Sequence, residues 1–122
     1  MSLIARHLEA HGIPTVIMGC AKDIVEQAGV PRYLWSDFPL GNSAGKPRDP
    51  DSQRETLDLA LGLFESATGP RTTLASPQRW SENDDWKVDF MNVDAMPAEK
   101  IERLKAEFAE QKRIASELKK AD

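Results

Sequence analysis

The single cysteine, Cys20, follows an apolar stretch, Ile13 to Met18, through Gly19 and runs into a short helical pattern. A thiol at a helix start lies near unbonded amides and the positive end of the helix dipole, which favour the thiolate and make Cys20 a candidate catalytic residue. Cysteine is also among the most buried residue types, so simple packing is the competing role. Further on, Phe38-Pro39-Leu40-Gly41-Asn42 reads as a shaped turn at the end of a second strand. Pro39 fixes φ, Gly41 admits a positive φ, and Asn42 offers a hydrogen-bond donor and acceptor. Gly19, Pro39, Leu40, Gly41 and Asn42 are therefore the candidate substrate-binding residues around Cys20.

Two other patterns carry less. His7 and His11 lie four apart on the first helix, as metal-binding pairs do, but Glu9 is not placed as in His-Glu-x-x-His and no third ligand follows. They read as a surface or interface pair, and no metal is expected. Gly41 to Pro47 resembles a phosphate-binding loop, yet it is one residue short between the glycines and lacks Ser or Thr after Lys46. No cofactor is expected there.

The elements that must position Cys20 and the turn follow from periodicity. Leu3, Ile4, Ala5 and Leu8 share a helical face capped by Gly12, giving a helix over residues 2 to 11. Ile13 to Met18 is nearly continuous and apolar, the pattern of a strand covered on both faces. A short helix over residues 21 to 28 ends at Gly29, and Val30 to Trp35 is the next strand. Residues 36 to 50 form a loop rich in turn formers. Asp49 and Pro50 then start a core helix, apolar around much of its circumference, that stops at Thr68-Gly69-Pro70. Thr72 to Leu74 is a possible further strand.

Alternating helices and strands predict an α/β fold with a small partial parallel sheet of two to three strands, flanked by helices. The expected organisation is an α/β domain over 1–74, an extended aromatic arm over 75–96 with Trp80, Trp86 and Phe90, and a charged C-terminal helix over 97–122. Those aromatics either pack beneath the arm or meet a partner. In the last helix Ile101, Leu104, Phe108, Ala115 and Leu118 form a narrow seam suited to docking. So thin a sheet has exposed edges and looks like part of a larger one.

At 122 residues and net charge −4, with both signs interspersed, the chain has room for one compact domain and no electrostatic footprint for nucleic acid or anionic membrane. No apolar run approaches the roughly 18 residues that span a bilayer. The N-terminus lacks the order of a signal peptide, and one cysteine cannot form an internal disulfide, so the expected location is cytoplasmic.

The segment at 4 to 20, IARHLEAHGIPTVIMGC, resembles part of the glycine, sarcosine, betaine and D-proline reductase component B family, where a helix leads into a GIPVV-type strand and a cysteine. FPLGN is similar to that family's PLGNP turn, with Ser43 in place of the final proline, and the resemblance extends weakly into the helix at 50 to 67. It covers about half the chain. The resemblance implies a selenium- or thiol-dependent reductase that cleaves C–N bonds of amino acid derivatives. In the family the redox cysteine or selenocysteine lies upstream of the helix corresponding to residues 3 to 11, so Cys20 is not its counterpart. The expectation is a small subunit of a hetero-oligomer whose partner chain supplies the remaining sheet and the redox residue around a small-molecule substrate. The alternative is a noncatalytic binding or regulatory module that keeps the fold.

Overall fold

The computed structural model describes residues 1–89 and 97–121. Within it the chain divides into two units, Met1–Asp84 and Asp85–Asp122.

The first unit has helix α1 (Ser2–Ala10), strand β1 (Ile17–Gly19), helix α2 (Lys22–Ala28), strand β2 (Arg32–Trp35), helix α3 (Pro50–Ser66) and strand β3 (Thr72–Ala75). The strands form a parallel sheet in the order β1-β2-β3. An α/β fold with a small partial sheet, as the alternating pattern predicts, is what the chain adopts. Register pairs Ile17 with Tyr33 and Tyr33 with Thr73, and Met18 with Leu34 and Leu34 with Leu74. Successive side chains point to opposite faces. Leu34, with none of its surface exposed, meets Ala60 and Leu63 of α3, and Val16, Met18 and Leu74 pack around them. On the other face Tyr33, 1% exposed, lies beneath Gly19.

Helix α3 starts as the sequence predicts. Asp49 accepts a hydrogen bond from the Ser52 N–H at 3.0 Å, and Pro50 occupies the first turn, where no intrahelical N–H is needed. Its first turn is tied down by a polar network. Thr56 Oγ1 donates to the Ser52 carbonyl at 2.8 Å, and Gln78 Nε2, from the segment after β3, donates to Thr56 Oγ1 at 2.9 Å. Buried hydroxyls of this kind are tolerable because each finds a partner.

Several expectations need correction. The apolar run Ile13–Met18 is not one strand: β1 begins at Ile17, and Ile13 is half exposed. Pro14 has no N–H to donate, and the Thr15 N–H is taken by Glu9, so pairing starts later. Nor is α3 covered all round, because Leu57, Leu61 and Phe64 are 50%, 52% and 40% exposed. On α1, Ala5 is buried whereas Leu3 and Ile4 face outward.

The second unit holds helix α4 (Asp85–Asp89), which interrupts the expected irregular arm, and helix α5 (Ala98–Ala121). On α5 Leu104 and Phe108 are exposed, while Arg113 pairs with Glu110 at 2.6 Å, an exposed interaction of the kind worth well under about 1 kcal/mol. Phe90 and the side chains of Ala115 and Leu118 lie outside the described residues.

At the N-terminal end of the sheet one oxygen of Glu9 accepts from the Thr15 N–H and hydroxyl and from Arg32 at 2.7 Å. Burial alone would raise the Glu9 pKa, but the Thr15 and Arg32 contacts outweigh it and hold the carboxyl below its usual value. A depressed carboxylate contributes stability that is present above its unfolded pKa and lost as pH falls through the folded one. Acid titration of thermal melts should therefore show Glu9→Gln less stable than the parent near neutrality, with the two curves converging below about pH 4. A constant gap across that range would mean that the charge of Glu9 contributes nothing.

Candidate functional site

Parallel pairing of β1 with β2 brings their C-terminal loops to the same edge of the sheet, where open α/β sheets bind ligands. The ladder continues one step past the strands: Ser36 N–H donates to the Gly19 carbonyl at 2.9 Å, and Ser76 N–H to the Trp35 carbonyl at 2.8 Å. This places Cys20 beside Ser36 and Ser36 beside Ser76 in one row. Trp35 Nε1 donates to the Cys20 carbonyl at 3.1 Å and fixes the loop from the opposite strand.

Cys20 is partly buried and free. Burial pushes its pKa up, main-chain N–H groups of Asn42 and Phe38 pull it part of the way back, and Asp37 raises it again. The net shift is upward. The amides that lower it thus come from the turn across the edge, and at neutral pH the resting group is the protonated thiol. Below it Tyr33, with its own pKa pushed to about 12 by burial and then by Cys20, Glu26 and Asp23, stays a neutral phenol. Among the described residues the Tyr33 hydroxyl and Ser36 Oγ, both deeply buried, have no hydrogen-bond partner.

The turn is held from within. Asn42 Nδ2 donates to the Pro39 carbonyl at 3.0 Å and the Asn42 N–H to the same oxygen at 3.2 Å. Gly41 has φ +97°, so its lack of a side chain is required by the backbone, although a Cβ there would meet nothing within 4 Å. Gly45, at φ +104°, is required twice over, because a Cβ would stand 2.7 Å from the Gln53 Cα. Phe38 is buried and meets the Trp80 ring at 5.5 Å, so that arm aromatic packs within its own unit. Beside the turn a cavity of about 420 Å³ is bounded by Met18, Gly41, Asn42, Gly45, Pro47 and Leu57.

Of the residues predicted from sequence, Gly19 and Cys20 lie at the end of β1 and Pro39, Leu40, Gly41 and Asn42 in the loop that leaves the same edge of the sheet after β2. Leu40, at 56%, and Gly41 are exposed, and the other four are partly or fully buried. Ser36 and Tyr33 were not anticipated; the only signal was a hydroxyl directly after a strand, which register alone makes meaningful. His7 and His11 stack at 4.3 Å on an exposed face, with His11 Nδ1 2.8 Å from the His7 carbonyl. Among the described residues no group of three or more His, Cys, Asp or Glu side chains is placed to hold a metal ion.

The chain is 36% identical over 52 residues to the D-proline reductase subunit gamma of Acetoanaerobium sticklandii. A partial relation to the reductase family is what this similarity supports. The match spans 43% of the chain and 22% of that relative's length. No protein-family profile matches the chain, and no solved structure does. Among the described residues no helix is long and apolar enough to cross a membrane.

Two outcomes follow from this geometry. Gly41→Val should lose about 1–2 kcal/mol through backbone strain alone, since there is space for the side chain, and a thermal melt unchanged within error would mean that the turn relaxes. Alkylation of Cys20 by iodoacetamide should reach its half-maximal rate at a higher pH in the folded chain than in the urea-unfolded chain; the reverse order would reveal an activated thiol.

Proposed function

We propose that the chain is the small subunit of a reductase-like hetero-oligomer. In this reading the Cys20 loop and the turn at 38–42 form one wall of a thiol-dependent site for reductive cleavage of a C–N or related bond. Cys20 is the catalytic candidate of this chain; Gly19, Pro39, Leu40, Gly41 and Asn42 shape the substrate side. A partner chain completes the site with further sheet and the redox cysteine or selenocysteine, and the assembly is cytoplasmic.

What supports the reading is the parallel pairing of β1 with β2, continued by the Ser36 N–H on the Gly19 carbonyl, which brings the Cys20 loop and the chain leading into the turn at 38–42 to the C-terminal edge of the sheet. The partial similarity to a D-proline reductase subunit supports a reductase-family relation, from which the proposed reaction class is taken.

A second reading, a noncatalytic binding or regulatory module, is favoured by one fact. The Asn42 amide group donates inward to Pro39 and the Cys20 thiol is protonated at rest, so both side chains are occupied as structural groups would be.

Reconstitution separates the two. With the complex copurified from the native source, Cys20→Ala and Asn42→Ala should each leave assembly intact and lower reductive turnover at least tenfold. Turnover that survives both substitutions would move the chain to the second reading.

A further inference from the structure

The chain's two histidines stand at the end of α1, His7 in the last turn and His11 at the C-cap, both exposed. Spacing alone leaves them without a role, but the geometry adds to it. Their rings lie with centroids 4.3 Å apart and planes inclined at 43°, so both imidazoles occupy the same place on the surface. His11 Nδ1 also stands 2.8 Å from the His7 carbonyl oxygen. A carbonyl can only accept, so Nδ1 carries the proton in that bond, and the neutral ring of His11 keeps its lone pair on Nε2. Histidines that bind metals are arranged in this way: one ring nitrogen donates to a carbonyl, which fixes tautomer and orientation, and the other faces the ion.

The geometry points to a two-histidine site at the end of α1 for one divalent transition-metal ion of the zinc, nickel or copper kind, held by ring nitrogens of His7 and His11 with water in its remaining positions. Imidazole selects these ions over magnesium and calcium, which seek oxygen. Two metal–nitrogen bonds of about 2.0–2.1 Å reach nitrogens up to about 4 Å apart, a separation that rings with centroids 4.3 Å apart can present without a change in the helix. The end of α1 also suits a cation, because the last carbonyls of a helix carry its partial negative charge. Glu9, between the two histidines in sequence, is engaged elsewhere, with Thr15 and with Arg32 of β2. Among the described residues no third His, Cys, Asp or Glu side chain joins a cluster that could hold a metal, so the ion keeps open positions, unlike a closed structural zinc. An ion bound across His7 and His11 would close the last turn of α1 just where the Gly12 and Ile13 N–H groups bond the Glu9 and Leu8 carbonyls and the chain leaves for the sheet. The site is independent of the reductase reading.

Calorimetric titration of the full chain, free of any histidine tag, with zinc chloride near neutral pH tests the site. One ion should bind per chain, and His7→Ala and His11→Ala should each weaken binding at least about tenfold, the mark of a chelate that needs both rings. Cys20→Ala should leave the affinity within about twofold, and magnesium in large excess should neither bind nor compete. Nitrogen NMR of the imidazoles supplies a readout in the unaltered chain: a ring nitrogen of each histidine should shift on zinc addition, Nε2 in His11, while His11 Nδ1 stays protonated. Circular dichroism checks that the variants keep their helix, and the ring nitrogens of the unaltered chain decide the matter where a variant does not fold. Zinc that binds equally well without either histidine, that requires Cys20, or that is shared between two chains overturns the site. So does a chain whose ring nitrogens stay unmoved at millimolar zinc.

Discussion

Strand β2 is the one element paired on both sides, and the rest of the first unit is organised around its four residues. Leu34 anchors α3, Tyr33 fills the space under Gly19, and Trp35 reaches over to hold the Cys20 carbonyl. Arg32, at its start, is clamped by Glu9. A central parallel strand must be buried on both faces, which is why this short segment carries the two most enclosed large side chains of the unit. Among the described residues the β1–β2 ladder and the Trp35 bond to the Cys20 carbonyl hold the Cys20 loop to the edge from which the turn departs.

The elements around β2 were legible in sequence where a local rule applied. Asp49-Pro50 marked the start of α3, Gly29 its left-handed cap on α2, and Thr72-Thr73-Leu74 the third strand. What misled was the richest apolar run. Ile13 to Met18 has the composition of a buried strand, but hydrogen-bond capacity overrides composition: a proline without a donor and a threonine amide claimed by Glu9 remove that stretch from the ladder. The stripe on α3 misled in the opposite sense. Leu57, Leu61 and Phe64 look like core in a sequence, yet each is at least 40% exposed.

The site was partly legible for a similar reason. Cys20 and the 38–42 turn stand out by residue type, and parallel pairing of consecutive strands is enough to align them. The electrostatics were not readable. Sequence suggested amides of the following helix as the thiol's partners, yet that helix is only Lys22–Ala28, and the relevant amides lie about twenty residues away on the turn. The buried hydroxyls of Ser36 and Tyr33 gain meaning only from register, which no single-strand pattern reveals.

The contact between Gly45 and the backbone of Gln53 has a consequence for how this loop can change. Backbone against backbone leaves no side chain to yield, and the Lys46 N–H is bonded to Ser52 Oγ one residue further on, so loop and helix start are riveted at two successive positions. The stretch from Gly41 to Asp49 is consequently of fixed length: an inserted residue would have to displace either the turn at one end or the helix cap at the other. The exposed link Thr68-Gly69-Pro70 has no such rivet to α3 and is the place in this unit where a fluorophore or an epitope could be spliced in without reaching the sheet edge.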